Sequence, residues 1–515
     1  MAFFQAPTYD ELQRLSDELD LKCSVKELEA FKDFLSASCE QYKMLYSLPE
    51  PVPPVQYPRT PGHRPSAEEN PYHAWYWKCS VKGESSGKLA GMKVAVKDHA
   101  FVAGVPMMNG SRALEGFVPE YDATIVTRML QEGAEIVGKS TVPDLCCCGS
   151  SIMNPYGPAL NPWDTTRSAG GSSSGSGVLL AIGEVDLATG GDQGGSIRIP
   201  ASCCGIVGLK PTFGLVPYTG ACPIETTVDH VGPMARTVEG CALMLEVIAG
   251  YDDDADSRQP SCGFNVPEYT VEMRKPPNAL KIGILKEGFE LCESNVQDCV
   301  RKAVDAIKNA NLFSAVDEVS MPAHLYAQKV WSTGGLIGIG AQLLEGGGYG
   351  IGSFGLQSSR LSEALQRGLK SEEHAASPLV KVIHLWYAYF KQRYGLSSYS
   401  RSQTQMLDLR KQYDKLLKQY DVIIMPTLPQ LPAHIPDKDT PILDVMIRSF
   451  NMVANTAPFD STHHPALSLN AGFVQGLPVG MQIVGRRWDD ATVLRVAYHV
   501  EKALVPLQTE TIKNL

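Results

Sequence analysis

Residues 1 to about 48 place apolar side chains at the spacing of amphipathic helices. In TYDELQRLSDEL and SVKELEAFKDFLSASCEQYKML the apolar residues recur at intervals of three and four, so each set falls on one helical face. Each segment begins with Thr or Ser followed three residues later by Glu, which is the pattern of a capping box. We expect two helices whose apolar faces are too large for so short a segment to bury alone.

A proline-rich stretch, LPEPVPPVQYPRTPGHRP, follows at residues 48–65. Its seven prolines cannot continue a helix, so it is predicted to be an extended connector. Residues 1–70 are therefore predicted to form a helical extension with a linker. A second copy of the chain is the expected partner for its apolar faces, which predicts a homodimer.

From about residue 88 the pattern changes to strands that alternate with helices. GMKVAVKDHAFVAG contains a short apolar strand, and DATIVTRMLQEGAEIVGKSTVPD reads as a helix, a glycine and a strand. ALKIGILKEGF and QYDVIIMPTLP add further strands, and DDATVLRVAYHVEKAL is a terminal helix. This alternation predicts an α/β fold. The glycine-rich residues 334–355 fit either a loop with a short helix or a mobile lid over a site.

Charge and composition narrow the classes of partner. The chain has 515 residues and a formal net charge of −10, and it lacks Lys/Arg clusters, which argues against nucleic acid or an anionic membrane as a partner. We see neither a signal peptide nor an apolar run long enough to span a membrane. The thirteen cysteines are an odd number without C-x-x-C spacing. We therefore expect reduced thiols in the cytoplasm and no metal site.

Two Ser/Gly-rich stretches are the candidate chemical sites. SAGGSSSGSG at residues 168–177 resembles a P-loop, but Ser176 stands where the phosphate-binding Lys is required. Its G-x-S-x-G match lacks the preceding strand of a nucleophile elbow. In GGDQGGSIRIP at residues 190–200, Ser196 fits either a turn or a nucleophile. Lys97, at the end of an apolar strand, could serve as its base if burial lowers the lysine pKa; an ion pair with Asp98 is the alternative.

These stretches together resemble the amidase signature family of serine hydrolases. The similarity runs in order through VAVKD, NPWDTTRSAGGSSSGSG, ATGGDQGGSIRIPASCCGIVGLKPTFGLVPYTG, DHVGPMARTVEG, MPTLP, NTAPFD and GLPVGMQIVG, covering most of residues 75–505. Within that family the chain is most similar to the enantioselective amidases of nitrile-degrading bacteria, which carry an N-terminal helical extension.

The resemblance implies the fold and its division. It implies a central mixed, twisted β-sheet covered by helices on both faces, preceded by the small all-helical extension. The catalytic domain would then span residues 71–515. Its core would comprise residues 75–275 and 440–505, with a smaller subdomain inserted at about residues 276–440.

The resemblance also implies the catalytic residues. Ser196 would be the nucleophile, and Lys97 the base. Ser172, which follows a cis peptide bond from Gly171, would pass protons between them. The backbone N–H groups of the nucleophile loop would form an oxyanion hole; these residues are Gln193, Gly194, Gly195 and Ser196. Gly171, Asp192 and Arg198 would support the loop.

The substrate pocket is less defined by sequence. Cys147, Trp331, Phe450 and Met452 are candidate apolar lining residues. The chain departs from the family at Gly191, where many members have Ser or Thr, and at Ser174, where Gly is common, which leaves the fine geometry of the site open.

Small aliphatic or aryl amides are the expected substrates, and no cofactor is expected. Carbamates, as in urethane-cleaving relatives, and esters are alternatives because the same attack on a carbonyl serves them. A subunit of an amidotransferase for tRNA-dependent amidation is a third interpretation, disfavoured by the N-terminal extension.

Overall fold

The computed structural model describes residues 4–260, 263–371, 376–508 and 512. The chain divides into two compact units, Met1–Pro53 and Pro54–Leu515. The predicted boundaries at residues 70, 276 and 440 remain predictions. The first residues of the predicted extension, 1–3, and the last residues of the predicted catalytic domain, 513–515, lie outside the described residues.

The first unit consists of two helices, α1 (Tyr9–Glu18) and α2 (Val25–Ser47). Both begin with the predicted capping boxes: the Thr8 and Ser24 hydroxyls accept from backbone N–H groups three residues on, and the paired Glu carboxylates accept from the cap N–H groups. These bonds satisfy N–H groups that the first helical turn leaves unpaired. The prediction of N-terminal helices is confirmed.

The second unit carries one mixed β-sheet. Its strands are β1 (Trp75–Lys82), β2 (Lys93–Lys97), β3 (Glu135–Ser140), β4 (Leu187–Asp192), β5 (Val207–Lys210), β6 (His230–Ala235), β7 (Lys281–Leu285), β8 (Ala315–Val319), β9 (Val422–Pro426), β10 (Ala466–Val474) and β11 (Leu477–Gly485). Among the described residues these eleven strands pair in the order β1-β3-β2-β4-β6-β5-β10-β11-β9-β7-β8. β2 is parallel to β3 and β4, β7 is parallel to β8 and β9, and the other neighbours are antiparallel.

Helices surround this sheet. They are α3 (Thr124–Gln131), α4 (Ser174–Ala181), α5 (Arg198–Cys204), α6 (Val238–Ile248), α7 (Tyr269–Glu272), α8 (Lys286–Glu290), α9 (Ser294–Asn309), α10 (His324–Ile339), α11 (Ser359–Leu369), α12 (Pro378–Tyr394), α13 (Ser397–Leu417), α14 (Ile442–Phe450), α15 (Ala457–Ser461) and α16 (Asp490–Leu504). Short 3-10 turns lie at Arg112–Leu114, Asp144–Cys146 and Val505–Leu507, and a π-helical turn lies at Gly340–Glu345.

Alternate residues of β2 show that both faces of the sheet are buried. Val94 and Val96 pack into one apolar cluster, whereas Ala95 packs into another, and none of the three is exposed. Successive strand residues point to opposite faces, so each cluster covers one side of the sheet. The predicted α/β fold with helices on both faces of a mixed sheet is confirmed.

Residues 276–440 contribute β7, β8 and β9 to one end of this same sheet. Of the glycine-rich residues 334–355, residues 334–345 belong to α10 and the π-helical turn, and residues 346–355 form turns and irregular structure. In the part of the chain that the structure describes, no helix is both long and apolar enough to cross a membrane.

Candidate active site

The site forms at one edge of the sheet, where two neighbouring parallel strands end. Lys97 is the last residue of β2, and β4 ends at Asp192, four residues before Ser196. Parallel neighbours end on the same side of a sheet, so the strand pairing itself brings Lys97 to the Ser196 loop. The Lys97 N–H donates to Thr189 Oγ1 on β4 at 2.8 Å, which fixes this register.

Lys97 is fully buried and has polar but uncharged hydrogen-bond partners. Its Nζ lies 2.8 Å from Ser172 Oγ and donates to the Gly191 carbonyl at 3.0 Å. Burial lowers the pKa of Lys97 below its usual range, against the opposing effects of Cys146 and Asp192. Asp98 pairs with Lys139 instead, at 3.0 Å. The arrangement therefore favours a neutral amine that can accept a proton from Ser172.

Ser172 precedes α4 and follows a cis peptide bond from Gly171. Ser172 is wholly buried, and Ser196 retains 7% exposure. Among the hydrogen bonds of the described residues, none joins the two hydroxyls, although the Ser173 N–H donates to the Ser196 carbonyl at 3.2 Å. Catalytic hydrogen bonds often become short only in the substrate complex. The structure thus brings the two serines into one site through their backbones.

The carbonyl groups of Gln193, Gly194 and Gly195 all accept hydrogen bonds from residues outside this loop. The Gln193 carbonyl accepts from Trp331 Nε1 at 2.8 Å, and the Gly194 carbonyl accepts from Thr456 Oγ1 at 2.6 Å. The Gly195 carbonyl accepts from the Ile199 N–H at 2.7 Å. In a trans peptide the next N–H points opposite to the carbonyl. Each held carbonyl therefore sets the direction of the N–H that follows it.

The sequence analysis expects four N–H donors for an oxyanion, but the Gly195 N–H already has another partner. The Gly195 N–H donates to Asp192 Oδ1 at 2.6 Å, so it is engaged within the loop. Among the described hydrogen bonds, none uses the N–H groups of Gln193, Gly194 or Ser196. These three are the N–H groups that remain for a developing negative charge.

Asp192 and Arg198, the residues predicted to support the loop, form a buried hydrogen-bonded pair at its two ends. Arg198 is fully buried and bonds both Asp192 oxygens, at 3.0 and 2.8 Å, as well as Asp460 Oδ2 at 2.7 Å. Burial opposes ionisation of Asp192, but the Arg198 guanidinium holds the pKa of that carboxyl below its ordinary value. The Ile197 N–H also donates to Asp192. The carboxylate thus fixes both flanks of Ser196.

A narrow cavity of about 50 Å³ opens at Ser196. Its wall includes Cys146, Cys147, Cys148, Gly149, Gln193, Gly194, Ile199, Ile224, Trp331, Leu336, Ile339, Ile383, Ser449, Phe450 and Val453. Three of the four predicted pocket residues are in this wall. Met452 is fully buried in an apolar cluster with Trp331 and does not reach the cavity surface. The lining is mostly apolar, which suits an aliphatic or aryl group.

Sequence reasoning missed several supporting residues. Thr456 lies in the NTAPFD motif, yet nothing in one sequence indicates that its hydroxyl bonds the Gly194 carbonyl. Tyr218 accepts from Gln193 Nε2 at 3.0 Å and lies in LVPYTG, another matched motif. Trp331 was predicted only as pocket lining, but its indole N–H also holds the loop.

Within the described residues, no group of three or more His, Cys, Asp or Glu side chains is arranged to hold a metal ion.

Comparison with known proteins decides the family. The family model described as Amidase matches residues 65–494, which is more than half of the chain. The chain belongs to the amidase signature family. The Lys97, Ser172 and Ser196 constellation lies entirely within the matched range.

Individual relatives of the amidase signature family extend this assignment. The chain is 42% identical over 506 residues to an enantioselective amidase of Rhodococcus rhodochrous, a match that covers 96% of both proteins. It is 34% identical over 421 residues to a subunit of the glutamyl-tRNA(Gln) amidotransferase of Methanosarcina mazei, covering 81% of this chain and 85% of that protein. The solved peptide amidase of Stenotrophomonas maltophilia superposes with a TM-score of 0.63 at 26% identity, covering 83% of this chain and 85% of the other.

Proposed function

We propose that the protein hydrolyses the C(=O)–N bond of small aliphatic or aryl amides to a carboxylate and ammonia. The observation that carries this proposal is the buried contact of 2.8 Å between Lys97 Nζ and Ser172 Oγ, beside Ser196 in an apolar cavity. A buried neutral amine is a competent base for a serine hydroxyl.

In the first half of the reaction, Ser196 Oγ attacks the amide carbon. Its proton passes to Ser172 as the Ser172 proton passes to Lys97. The C–N bond then breaks, and the proton returns through Ser172 to the leaving nitrogen. Water attacks the resulting acyl-Ser196 ester by the same proton path and releases the carboxylate, which regenerates the Ser196 hydroxyl.

The negative charge of the tetrahedral intermediate would be stabilised by the N–H groups of Gln193, Gly194 and Ser196. Each such donor typically lowers the barrier by about 3–4 kcal/mol when it is already oriented. The bonds from Trp331 Nε1 to the Gln193 carbonyl and from the Ile199 N–H to the Gly195 carbonyl orient the N–H groups of Gly194 and Ser196 without movement during the reaction.

The cavity supports an apolar acyl group but does not distinguish the leaving group. Carbamates and esters therefore remain alternative substrates of the same machinery. One observation argues against the amidotransferase interpretation. The match to the Rhodococcus enzyme spans 96% of the chain, so it must include part of the 53-residue N-terminal unit. That extent favours an independent amide hydrolase.

The test is a hydrolysis panel of acetamide, benzamide, methyl benzoate and ethyl carbamate, using the purified chain without partner proteins. We expect benzamide turnover, and we expect Ser196→Ala to abolish it. Cys203→Ala, which removes a buried thiol seven residues further on, should leave turnover intact. Full turnover by Ser196→Ala would refute the mechanism.

We also propose that the chain is a cytoplasmic homodimer that associates through its N-terminal unit. Large apolar side chains on that unit are exposed, including Phe34 at 73% and Leu45 at 57%, which is typical of an interaction surface. The twelve cysteines among the described residues are all free thiols, which supports a reducing compartment.

A further inference from the structure

His99 lies two residues after Lys97, and the mechanism above does not use it. Its side chain is completely buried, and neither ring nitrogen has a hydrogen-bond partner among the described residues. Burial lowers the pKa of His99 well below its usual value, and the nearby Lys139 ammonium adds to this, so the ring is neutral. An unpaired polar ring in a protein interior is costly. Its position therefore needs an explanation.

The Nε2 end of the imidazole fills the space beside Gly191. A Cβ atom at Gly191 would lie 2.5 Å from His99 Nε2, which no real side chain tolerates. The position has room either for the ring or for a side chain at 191, but not for both. The Gly191 carbonyl accepts from Lys97 Nζ at 3.0 Å, and its N–H donates to Ser173 Oγ at 3.2 Å. A shift of Gly191 would therefore move the base.

The His99 ring also contacts Tyr218, which bonds the side chain of Gln193 in the Ser196 loop. The ring meets Tyr218 edge-on, with centroids 6.0 Å apart and planes at 71°. The Tyr218 hydroxyl accepts from Gln193 Nε2 at 3.0 Å and donates to the Cys222 carbonyl at 3.3 Å. The Cys222 N–H in turn donates to the His99 carbonyl at 2.7 Å. His99 thus stands between the groups that hold Lys97 and Gln193.

We propose that His99 is a positioning residue, whose ring occupies the side-chain space of Gly191 and sets the separation between Lys97 and the Ser196 loop. The proposal rests on the proposed function, because it assigns a role within the same site. His99 is not part of the cavity wall. Its loss should therefore lower kcat and leave KM nearly unchanged.

The test is a cycle of His99→Ala, Gly191→Ser and the double variant, with benzamide as substrate. Misplacement of about 1 Å can cost a reaction about 100-fold, so we expect each single variant to lower kcat by about 10- to 100-fold. In the double variant the serine side chain enters the space that the ring has left. We expect its kcat to exceed that of either single variant by about tenfold, a non-additivity typical of residues in contact.

A matched control pairs His99→Ala with Gly240→Ser, which lies in α6 away from the site and should give no rescue. If His99→Ala does not fold by circular dichroism, His99→Asn takes its place with the same criteria. Additive losses in the double variant, or a rise in KM without a fall in kcat, would overturn the role of His99. Absence of any hydrolysis by the wild type, or activity in Ser196→Ala, would instead overturn the proposed function.

Discussion

At the scale of single residues, the candidate site is built around a lysine whose side chain is fully buried. Lys97 bonds a hydroxyl and a backbone carbonyl, whereas the neighbouring Asp98 bonds Lys139. Had Asp98 paired with Lys97, the ammonium form would have been stabilised and the base lost. Because these two adjacent titratable residues have different partners, Lys97 can remain neutral and the proposed proton transfer is feasible.

The first prediction concerns pH. Because burial lowers the pKa of Lys97, its amine is neutral where an exposed lysine would be charged. As the pH falls through that lowered pKa, Lys97 becomes protonated, and kcat/KM should fall on the acid side. A pH profile of benzamide hydrolysis measures this. Lys97→Met should lose about 100- to 10,000-fold in kcat, and Lys97→Arg should be inactive at every pH. A wild-type kcat/KM that is unchanged on the acid side down to unfolding would contradict the assignment.

The second prediction concerns Thr456. Thr456→Val keeps the shape but leaves the buried Gly194 carbonyl without its donor at 2.6 Å. A buried acceptor without a partner costs about 1–3 kcal/mol. The Gly194 carbonyl belongs to the same peptide as the Gly195 N–H that bonds Asp192, so we expect the loop to lose order beside Ser196 and kcat to fall about tenfold. Thr462→Val is the control, because its buried hydroxyl bonds the Pro458 carbonyl and does not contact the loop. Equal kcat values for the two variants would count against the role of Thr456.

That Lys97, Ser172 and Ser196 lie in one site could be predicted from sequence, because short motifs at fixed spacing carry them. The direction of individual N–H groups could not. Whether Gly195 donates to an oxyanion or to Asp192 depends on where the carboxylate comes to rest after the loop folds. The sequence shows that Gly191 lacks the side chain that many family members have. That His99 lies next to Gly191 depends on the pairing of β2 with β4, which the sequence does not show.

At the scale of elements, the glycines of α10 and of the π-helical turn that follows it allow close packing against neighbouring segments. A Cβ at Gly338 would lie 2.3 Å from Glu225 Cγ, and one at Gly340 would lie 2.2 Å from Tyr387 Cβ. The same composition fits a loop with a short helix or a mobile lid, because a single sequence does not distinguish glycines needed for turns from glycines needed for contact. Here they let α10 bring Trp331 to the Ser196 loop.

The third prediction therefore concerns Gly338→Ala. Overpacking of a close contact costs about 1–3 kcal/mol, and we expect a lower free energy of unfolding in urea together with reduced turnover. Gly335→Ala on the same helix is the control, because its Cβ would lie at an ordinary 3.5 Å from Trp331. Alanine there should be neutral or slightly stabilising in a helix. Equal unfolding energies for the two variants would exclude the packing explanation.

At the scale of the whole molecule, the sequence predicted the class of the sheet but not its strand order. The alternation of apolar runs identifies strands and helices, whereas the order depends on pairings between distant segments such as β5 with β10. The N-terminal unit was predicted more completely, because its two helices have local caps and local apolar spacing.

The fourth prediction tests the homodimer. Phe34 is 73% exposed, so Phe34→Asp should disturb an interface without disturbing the fold of one chain. We expect light scattering to give a dimer mass for the wild type and a monomer mass for the variant. Val505→Asp, an exposed apolar position in the second unit, should keep the wild-type mass. A monomeric wild type would remove the proposal.

The long sequence separations between Ser196 and the residues that hold its loop have a consequence for biosynthesis. The carbonyls of Gln193 and Gly194 are held by residues 138 and 262 positions further along the chain, and Arg198 bonds Gln482, 284 positions away. While a ribosome is still translating the last strands, Ser196 and Trp331 have already been synthesised, but Gln482 has not, and Thr456 has only just been added to the chain. A nascent or prematurely terminated polypeptide should therefore be hydrolytically silent, so turnover in a translation extract would report full-length synthesis.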